Sequence, residues 1–287
     1  MFINNIPAPG LVLLAILAIQ IGASFATSLF PVLGADGTVA VRITLAAVLL
    51  VIVAKGRDLR FIRLFRSNWL LMLGYGGCIA AMNLFFYEAI ARIPLGAAVA
   101  IEFIGPLGVA AATSRRIGHF FWVGLAVLGI VLLSPLSGAN LDELGVMYAL
   151  LAGTGWACFI IFTGKVVNRI PGNDGLAMGM TIAALFMIPW LIPVTGVLVA
   201  NHYLLLAGLG VALLSTTIPF TLEFEALKKL SKRAYGILVS LEPAVAAVVG
   251  MVVLGERIGL QGLVAVVCVV SAAFGISVTE KRESSSQ

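Results

Sequence analysis

Long apolar runs recur along the chain, broken by short polar connections. A bilayer span needs about 20 mostly apolar residues, within a range of roughly 17–25. On that measure ten spans are predicted, at 11–30, 38–54, 68–91, 95–113, 119–136, 145–164, 176–199, 202–224, 234–253 and 261–278. In hydrocarbon every backbone amide and carbonyl must be paired within the protein, so runs of this length and character predict helices. The expected fold class is an all-α integral membrane protein. The connections are too short to hold a soluble domain, which leaves the helices themselves as the place for a functional site.

Two stretches interrupt the apolar pattern at depth: Glu102-Phe-Ile-Gly-Pro106 and Glu242-Pro243. Each sets a carboxylic acid beside a helix-breaking proline. A proline inside a helix leaves the carbonyl four residues earlier without its amide partner, and for Pro106 that carbonyl belongs to Glu102. Counted from the outer end of its span, Glu102 lies about 10 Å deep, and Glu242 lies about 12 Å from the inner end of its own, at 1.5 Å per residue. Ionisable side chains at such depth are costly and face a protein interior or a water-filled cavity. One reading is proton coupling or pairing with a substrate ammonium; the other is a permanently protonated acid bonded to a neighbouring helix.

Composition agrees with the pattern. Of 287 residues, 61% are hydrophobic and 11% charged, against roughly 45–50% and about 25% in soluble domains; the mean hydropathy is +1.12. Cys78, Cys158 and Cys268 all lie in apolar runs, without the spacing of a metal site or disulfide framework. The net charge of +5 comes from basic residues dispersed among connections rather than from a nucleic-acid-binding patch. With the N-terminus inside, the inner connections and the tail hold fifteen of the eighteen Lys and Arg; the outer connections hold only Arg92 and Arg257, and Arg42 lies within a span. Such bias sets orientation, so both termini are expected in the cytoplasm. No Lys or Arg precedes the first apolar run, which speaks against a cleaved signal peptide.

The halves repeat. A shift of 137 residues lays Thr44-Leu45-Ala46-Ala47 on Thr181-Ile182-Ala183-Ala184, Glu88-Ala89 on Glu225-Ala226, Arg92 on Lys229, Pro106 on Pro243 and Gly118 on Gly255. Five spans is an odd number, so the two five-helix repeats, 11–136 and 145–278, enter the membrane in opposite directions, followed by a cytoplasmic tail over 279–287. Inverted repeats with Gly/Pro-interrupted segments at matching positions are the pattern of a secondary transporter with its site between the halves. The glutamates are not counterparts: under the shift Glu102 meets Val239 and Glu242 meets Gly105. Unequal roles for the two acids follow.

Several segments carry a family likeness. They include Gln20-Ile-Gly-Ala-Ser24, Ser28-Leu-Phe-Pro31, Pro94-Leu-Gly96, Glu102-Phe-Ile-Gly-Pro-Leu107 and Ser114-Arg-Arg116. In the second half they are Ser215-Thr216, Pro219, Leu222-Glu223, Leu241-Glu-Pro-Ala244 and Leu254-Gly-Glu256. On these, the chain resembles the drug/metabolite transporter superfamily, of the ten-helix type built from two EamA domains, nearest the threonine/homoserine exporter branch. Relatives of that branch carry a lysine late in the first helix where this chain has Thr27, so no role of that lysine carries over. The resemblance implies export of small amino acids across a bacterial inner membrane; the buried acids point to the proton gradient as energy source, and no cofactor is expected.

Other polar residues inside the spans complete the candidate set. Arg42 could clamp a substrate carboxylate with its planar fork, or equally snorkel to the outer headgroups. Trp156, near a midplane with Gly153 and Gly155 beside it, is either a pocket wall or a packing residue. Gln20, Ser24, Asn83 and Tyr87 could line a cavity or bond across helices as structural glue. Glu88 with Arg92, and Glu225 with Lys229, are spaced i,i+4 near span ends and read more simply as helix-end ion pairs than as a gate. No P-loop, HExxH or paired CxxC motif occurs, so neither ATP nor a metal is expected.

The expected function is a proton-coupled exporter of small amino acids, alternating access around a cavity lined by spans one to four and six to nine. The alternatives are a transporter of another metabolite or a cationic drug and, from another class, an intramembrane enzyme. The expected partners are a small-molecule substrate and the lipid bilayer, not nucleic acid, with a homodimer left open.

Overall fold

The computed structural model describes residues 6–53, 59–113, 121–122, 124–125, 127–129, 132, 141–170, 174–219, 222, 226, 238–239, 241–257 and 259–279. Among them the regular structure is helical, as backbone pairing in hydrocarbon requires. In order the helices are α1 (Ala8–Thr27), α2 (Phe30–Val53), α3 (Leu59–Ser67), α4 (Trp69–Ile90), α5 (Leu95–Glu102), α6 (Ile104–Thr113), α7 (Glu143–Arg169), α8 (Asp174–Phe186), α9 (Ile188–Ala200), α10 (His202–Ala212), α11 (Glu242–Val253) and α12 (Leu260–Thr279). Four of them, α1, α2, α4 and α7, are long and apolar enough to cross a membrane alone, and α8 with α9 makes a fifth, bent by 76°. The fifth expected span, 119–136, and the Glu225–Lys229 pair lie largely or wholly outside the described residues.

The breaks fall where the local chemistry requires them. α5 stops at Glu102 and α6 restarts at Ile104, so Pro106 sits in the first turn of a new helix, where its missing amide costs nothing. Pro243 likewise occupies the first turn of α11, directly after Glu242. Two expectations need correction. Before the second span, a turn of helix from Phe30 occupies what was expected to be a connection, and Gly34 (φ +73°, ψ 167°) separates it from the long helix that follows, in a conformation essentially restricted to glycine. The seventh is not one continuous helix: Pro189 at the start of α9 lacks the amide that would close onto Leu185, and the chain bends around Met187.

α4 packs along α7 and α8, α2 along α8, α5 along α11, and α1 along α11. Glycines set the closest approaches. A Cβ on Gly105 would overlap the Gly153 carbonyl, and one on Gly153 would lie 2.6 Å from the carbonyl oxygen of Glu102. The α5–α6 break therefore crosses α7 backbone to backbone, as small residues permit in membranes. Gly76 meets Gly179 and Ile182 in the same manner.

One contact ties the two halves at a helix end. Beyond α11, Gly255 (φ +67°) turns the chain back. The carboxylate of Glu256 then lies over Gly250 and accepts the Leu95 amide at 2.9 and 3.1 Å. That amide is one of the orphan donors at the start of α5. Burial pushes the Glu256 carboxyl above the ordinary glutamate range, and the Leu95 N–H offsets this only in part. A raised carboxyl pKa means the charged form costs folding free energy. The corresponding stability is present below the unfolded pKa and is lost as pH rises through the folded one. Glu256→Gln keeps an acceptor without the charge, so its melting temperature in detergent should not show the decline that the native chain shows as pH rises out of the acid range. Glu256→Ala should instead melt lower at every pH, by the equivalent of about 1 kcal/mol for a lost cap.

Candidate functional site

A cavity of about 220 Å³ lies between the halves. Its walls come from α1 (Ile19, Gln20, Ala23), α2 (Arg42, Ile43), α4 (Ile79, Met82, Asn83, Phe86, Tyr87), α5 (Val99, Glu102), α7 (Trp156, Phe159), α8 (Leu176, Met180), Ser215 and Thr216, and the segment of Val239 and Glu242 at the start of α11. These are the eight segments in which the sequence places spans one to four and six to nine. Seven of the eight candidate polar and aromatic residues meet here: Gln20, Arg42, Asn83, Tyr87, Glu102, Trp156 and Glu242. Ser24 does not line the cavity. It is buried, and its hydroxyl donates to the Gln20 carbonyl at 2.9 Å, one turn back along α1.

Arg42 organises the polar wall. Its side chain is buried, with the residue only 6% exposed, so the snorkelling alternative does not describe it. One terminal nitrogen donates to Asn83 Oδ1 and the other to Thr216 Oγ1 at 3.2 Å. The guanidinium stands 4.8 Å from the centre of the Tyr87 ring, within cation–π range. Asn83 is itself fixed by donating to the Ile79 carbonyl at 2.7 Å. The fork is thus held from two other helical segments, α4 and the turn that carries Thr216, while its Nε has no partner. A buried cation pre-positioned with one unused donor is suited to accept a carboxylate.

The acids stand around the same space. Glu102, 7% exposed, closes α5 and lies within electrostatic reach of both Glu242 and Arg42. Glu242 accepts from Gln20 Nε2 at 3.1 Å, a bond between α1 and α11. Gln20 Oε1 remains buried without a partner. Across the crossing with α7, Phe103 meets the Trp156 ring edge-on at 5.5 Å, and Trp156 sits one turn beyond Gly153. Thr27 folds its hydroxyl onto the Ser24 carbonyl at 2.7 Å and is not part of the wall.

Ser215 and Thr216 are additions to the expected set. They carry the family likeness, and the available signal was three consecutive hydroxyl residues, Ser215 to Thr217, in the middle of an apolar run. They lie on a five-residue π-helical turn, Leu213–Thr217, a distortion that frequently marks functional sites. Away from the cavity, Arg92 pairs with Glu88 at 3.6 Å and also reaches Asp142 at 3.7 Å, with its guanidinium over the Tyr148 ring. The three charged side chains are partly exposed, where such pairs contribute little. Among the described residues no group of His, Cys, Asp and Glu could hold a metal ion.

Comparison with known proteins agrees with the architecture. The profile of the EamA-like transporter family matches residues 143–278. The threonine/homoserine exporter RhtA of Salmonella typhimurium strain LT2 is 42% identical over 274 residues, covering 94% of this chain and 91% of its own. The threonine/homoserine exporter RhtA of Escherichia coli K12 is 41% identical over 276 residues, covering 96% and 92%. A solved crystal structure at 16% identity superposes with a TM-score of 0.61 over 96% of this chain and 98% of its own, a likeness of fold. With full-length relatives at this identity, the chain belongs to the EamA-like transporter family and is a multi-pass membrane transporter, not an enzyme.

Proposed function

We propose that this protein exports small amino acids of the threonine/homoserine type across the bacterial inner membrane, driven by the proton gradient. Both termini lie in the cytoplasm, and access alternates between two inverted five-helix halves. The observation that carries this reading is the meeting of Arg42, Glu102 and Glu242 in one buried cavity. A zwitterion offers a carboxylate to the free donor of Arg42 and an ammonium to an acid. An acid that holds either a proton or an ammonium, never both, exchanges one for the other and couples their opposite movements. The volume of about 220 Å³ suits such a solute better than a drug-sized one, whose pockets run to roughly 300–1,000 Å³. The names of the 41–42% identical relatives support the substrate class.

The inverted-repeat reading is supported by the packing. Under the 137-residue shift the α4–α7 contact corresponds to α10–α1, and α4–α8 corresponds to α10–α2. Several wall residues are also counterparts of one another: Ile19 and Trp156, Ile43 and Met180, Ile79 and Thr216, Glu102 and Val239. A cavity on the pseudo-twofold axis has this property.

The test is counterflow of labelled threonine and homoserine in proteoliposomes, with and without a pH gradient. Flux is expected for both, accelerated by the gradient; absence of flux for any amino acid would sink the substrate reading. Glu102→Gln should exchange substrate without responding to the gradient. A full gradient response in that variant would remove Glu102 from the coupling.

A further inference from the structure

Two hydroxyls on the cavity wall have only each other. Tyr87 is 2% exposed, and its phenol oxygen faces the buried Ser215 Oγ as a hydrogen-bonding neighbour, but the pair does not close a bond of good geometry and neither oxygen has another partner. Both residues belong to the cavity wall. A hydroxyl buried with no partner at all costs roughly 1–3 kcal/mol, and a poorly aligned pair recovers only part of that.

We infer that Tyr87 and Ser215 form a subsite that reads a hydroxyl on the substrate's side chain; this rests on the amino-acid reading above and deepens it. A single alcohol can donate to one of these oxygens and accept from the other, satisfying both. A methyl group of the same size satisfies neither. Polar groups left unpaired are what allow a site to reject an isostere lacking the hydroxyl.

The position fits. The Tyr87 ring lies under the Arg42 guanidinium, with 4.8 Å from Cζ to the ring centre, and Ser215 directly precedes Thr216, which accepts from Arg42 at 3.2 Å. The hydroxyl pair therefore flanks the cation that takes the carboxylate, within the span of one small amino acid. The π-turn gives both Ser215 and Thr216 a place on the wall, although they are consecutive. Gly22 makes room behind it: a Cβ there would collide with Ser215 Oγ and lie 2.9 Å from its amide nitrogen.

The experiment compares competition by threonine against valine, and by homoserine against norvaline, in each pair an alcohol replaced by a methyl group. Inhibition constants are read from counterflow in proteoliposomes for the native chain, Ser215→Ala and Tyr87→Phe. Tryptophan fluorescence of the purified proteins gives binding of the same four amino acids independently of transport. The native chain is expected to favour each alcohol over its methyl isostere by at least about tenfold. Each variant should compress that ratio by about tenfold, a change that loss of folded protein cannot produce because both members of a pair would weaken together. Ratios unchanged in both variants overturn the subsite. A native ratio near one overturns it too, while leaving amino-acid export standing. Absence of binding and flux for all four overturns the amino-acid reading and the subsite with it.

Discussion

Arg42→Lys is expected to lower threonine counterflow by about a hundredfold while the protein remains folded. The substitution preserves the charge and loses the fork. In the native chain the guanidinium donates to Asn83 on one side and to Thr216 on the other, stands over Tyr87, and keeps Nε unused. An ammonium is a compact point charge that cannot reproduce planar, multidirectional donation. Loss of the unused Nε donor removes a charge-assisted hydrogen bond to the substrate carboxylate, about 1.5–3 kcal/mol, or roughly one to two decades in affinity. The measurement is the Michaelis constant for threonine, with size-exclusion profiles as the control for folding. A variant within threefold of the native rate would show that only the positive charge matters and that the clamp geometry is irrelevant.

Gly105→Ala is expected to be as damaging to stability as Arg42→Lys is to transport. The added methyl has backbone on both sides: it overlaps the Gly153 carbonyl, and no flexible side chain is there to yield. Overpacking costs typically 1–3 kcal/mol, occasionally more, and this case belongs at or above the upper end, about 3 kcal/mol. The neighbouring Gly108 supplies an internal control. Nothing lies within 4 Å of a Cβ there, so Gly108→Ala should be neutral or gain a few tenths of a kcal/mol through helix propensity. Thermal melting in detergent distinguishes the two. Equal melting temperatures for Gly105→Ala and Gly108→Ala would remove the crossing from the account of stability.

Much of the architecture was legible because hydrocarbon leaves the backbone few choices. Run length located the principal helices to within a few residues for α1, α4, α7 and α12. Buried charge was legible in part for the same reason: Glu102 and Glu242 are costly enough in lipid to point to an interior, whereas Arg42 could equally have snorkelled and only its packing places it on the cavity wall. Three features resisted. Gly34 falls in the expected connection between 30 and 38, and the helical turn that continues on both sides of it is not announced by that polar, glycine-containing stretch. Prolines 189 and 193 lie in a seventh span that remains apolar throughout, so hydropathy could not reveal a bend. Ser24 and Gln20 look alike in sequence, one turn apart in α1, yet Ser24 satisfies itself on its own helix while Gln20 reaches Glu242. Only tertiary packing separates them.

The repeat register sharpened the contrast between the two acids. Val239, the counterpart of Glu102, lines the same cavity, whereas Gly105, the counterpart of Glu242, packs against Gly153 instead. One pair of positions faces the solute from both halves. The other puts an acid on one side and a helix crossing on the other.

That crossing is also placed where a fulcrum would be. The Glu102 carbonyl lies in the contact itself, and Trp156 is three residues from Gly153, about 4.5 Å along α7 at 1.5 Å per residue. The far end of α7 at Arg169 is sixteen residues away, about 24 Å by the same rise. If α7 rocked about the glycine contact by roughly 10°, that end would travel about 4 Å, while the groups beside the contact would shift by less than about 1 Å. Leverage of this kind lets the periphery swing without dismantling the polar centre, so a bound solute would keep its contacts through much of the stroke.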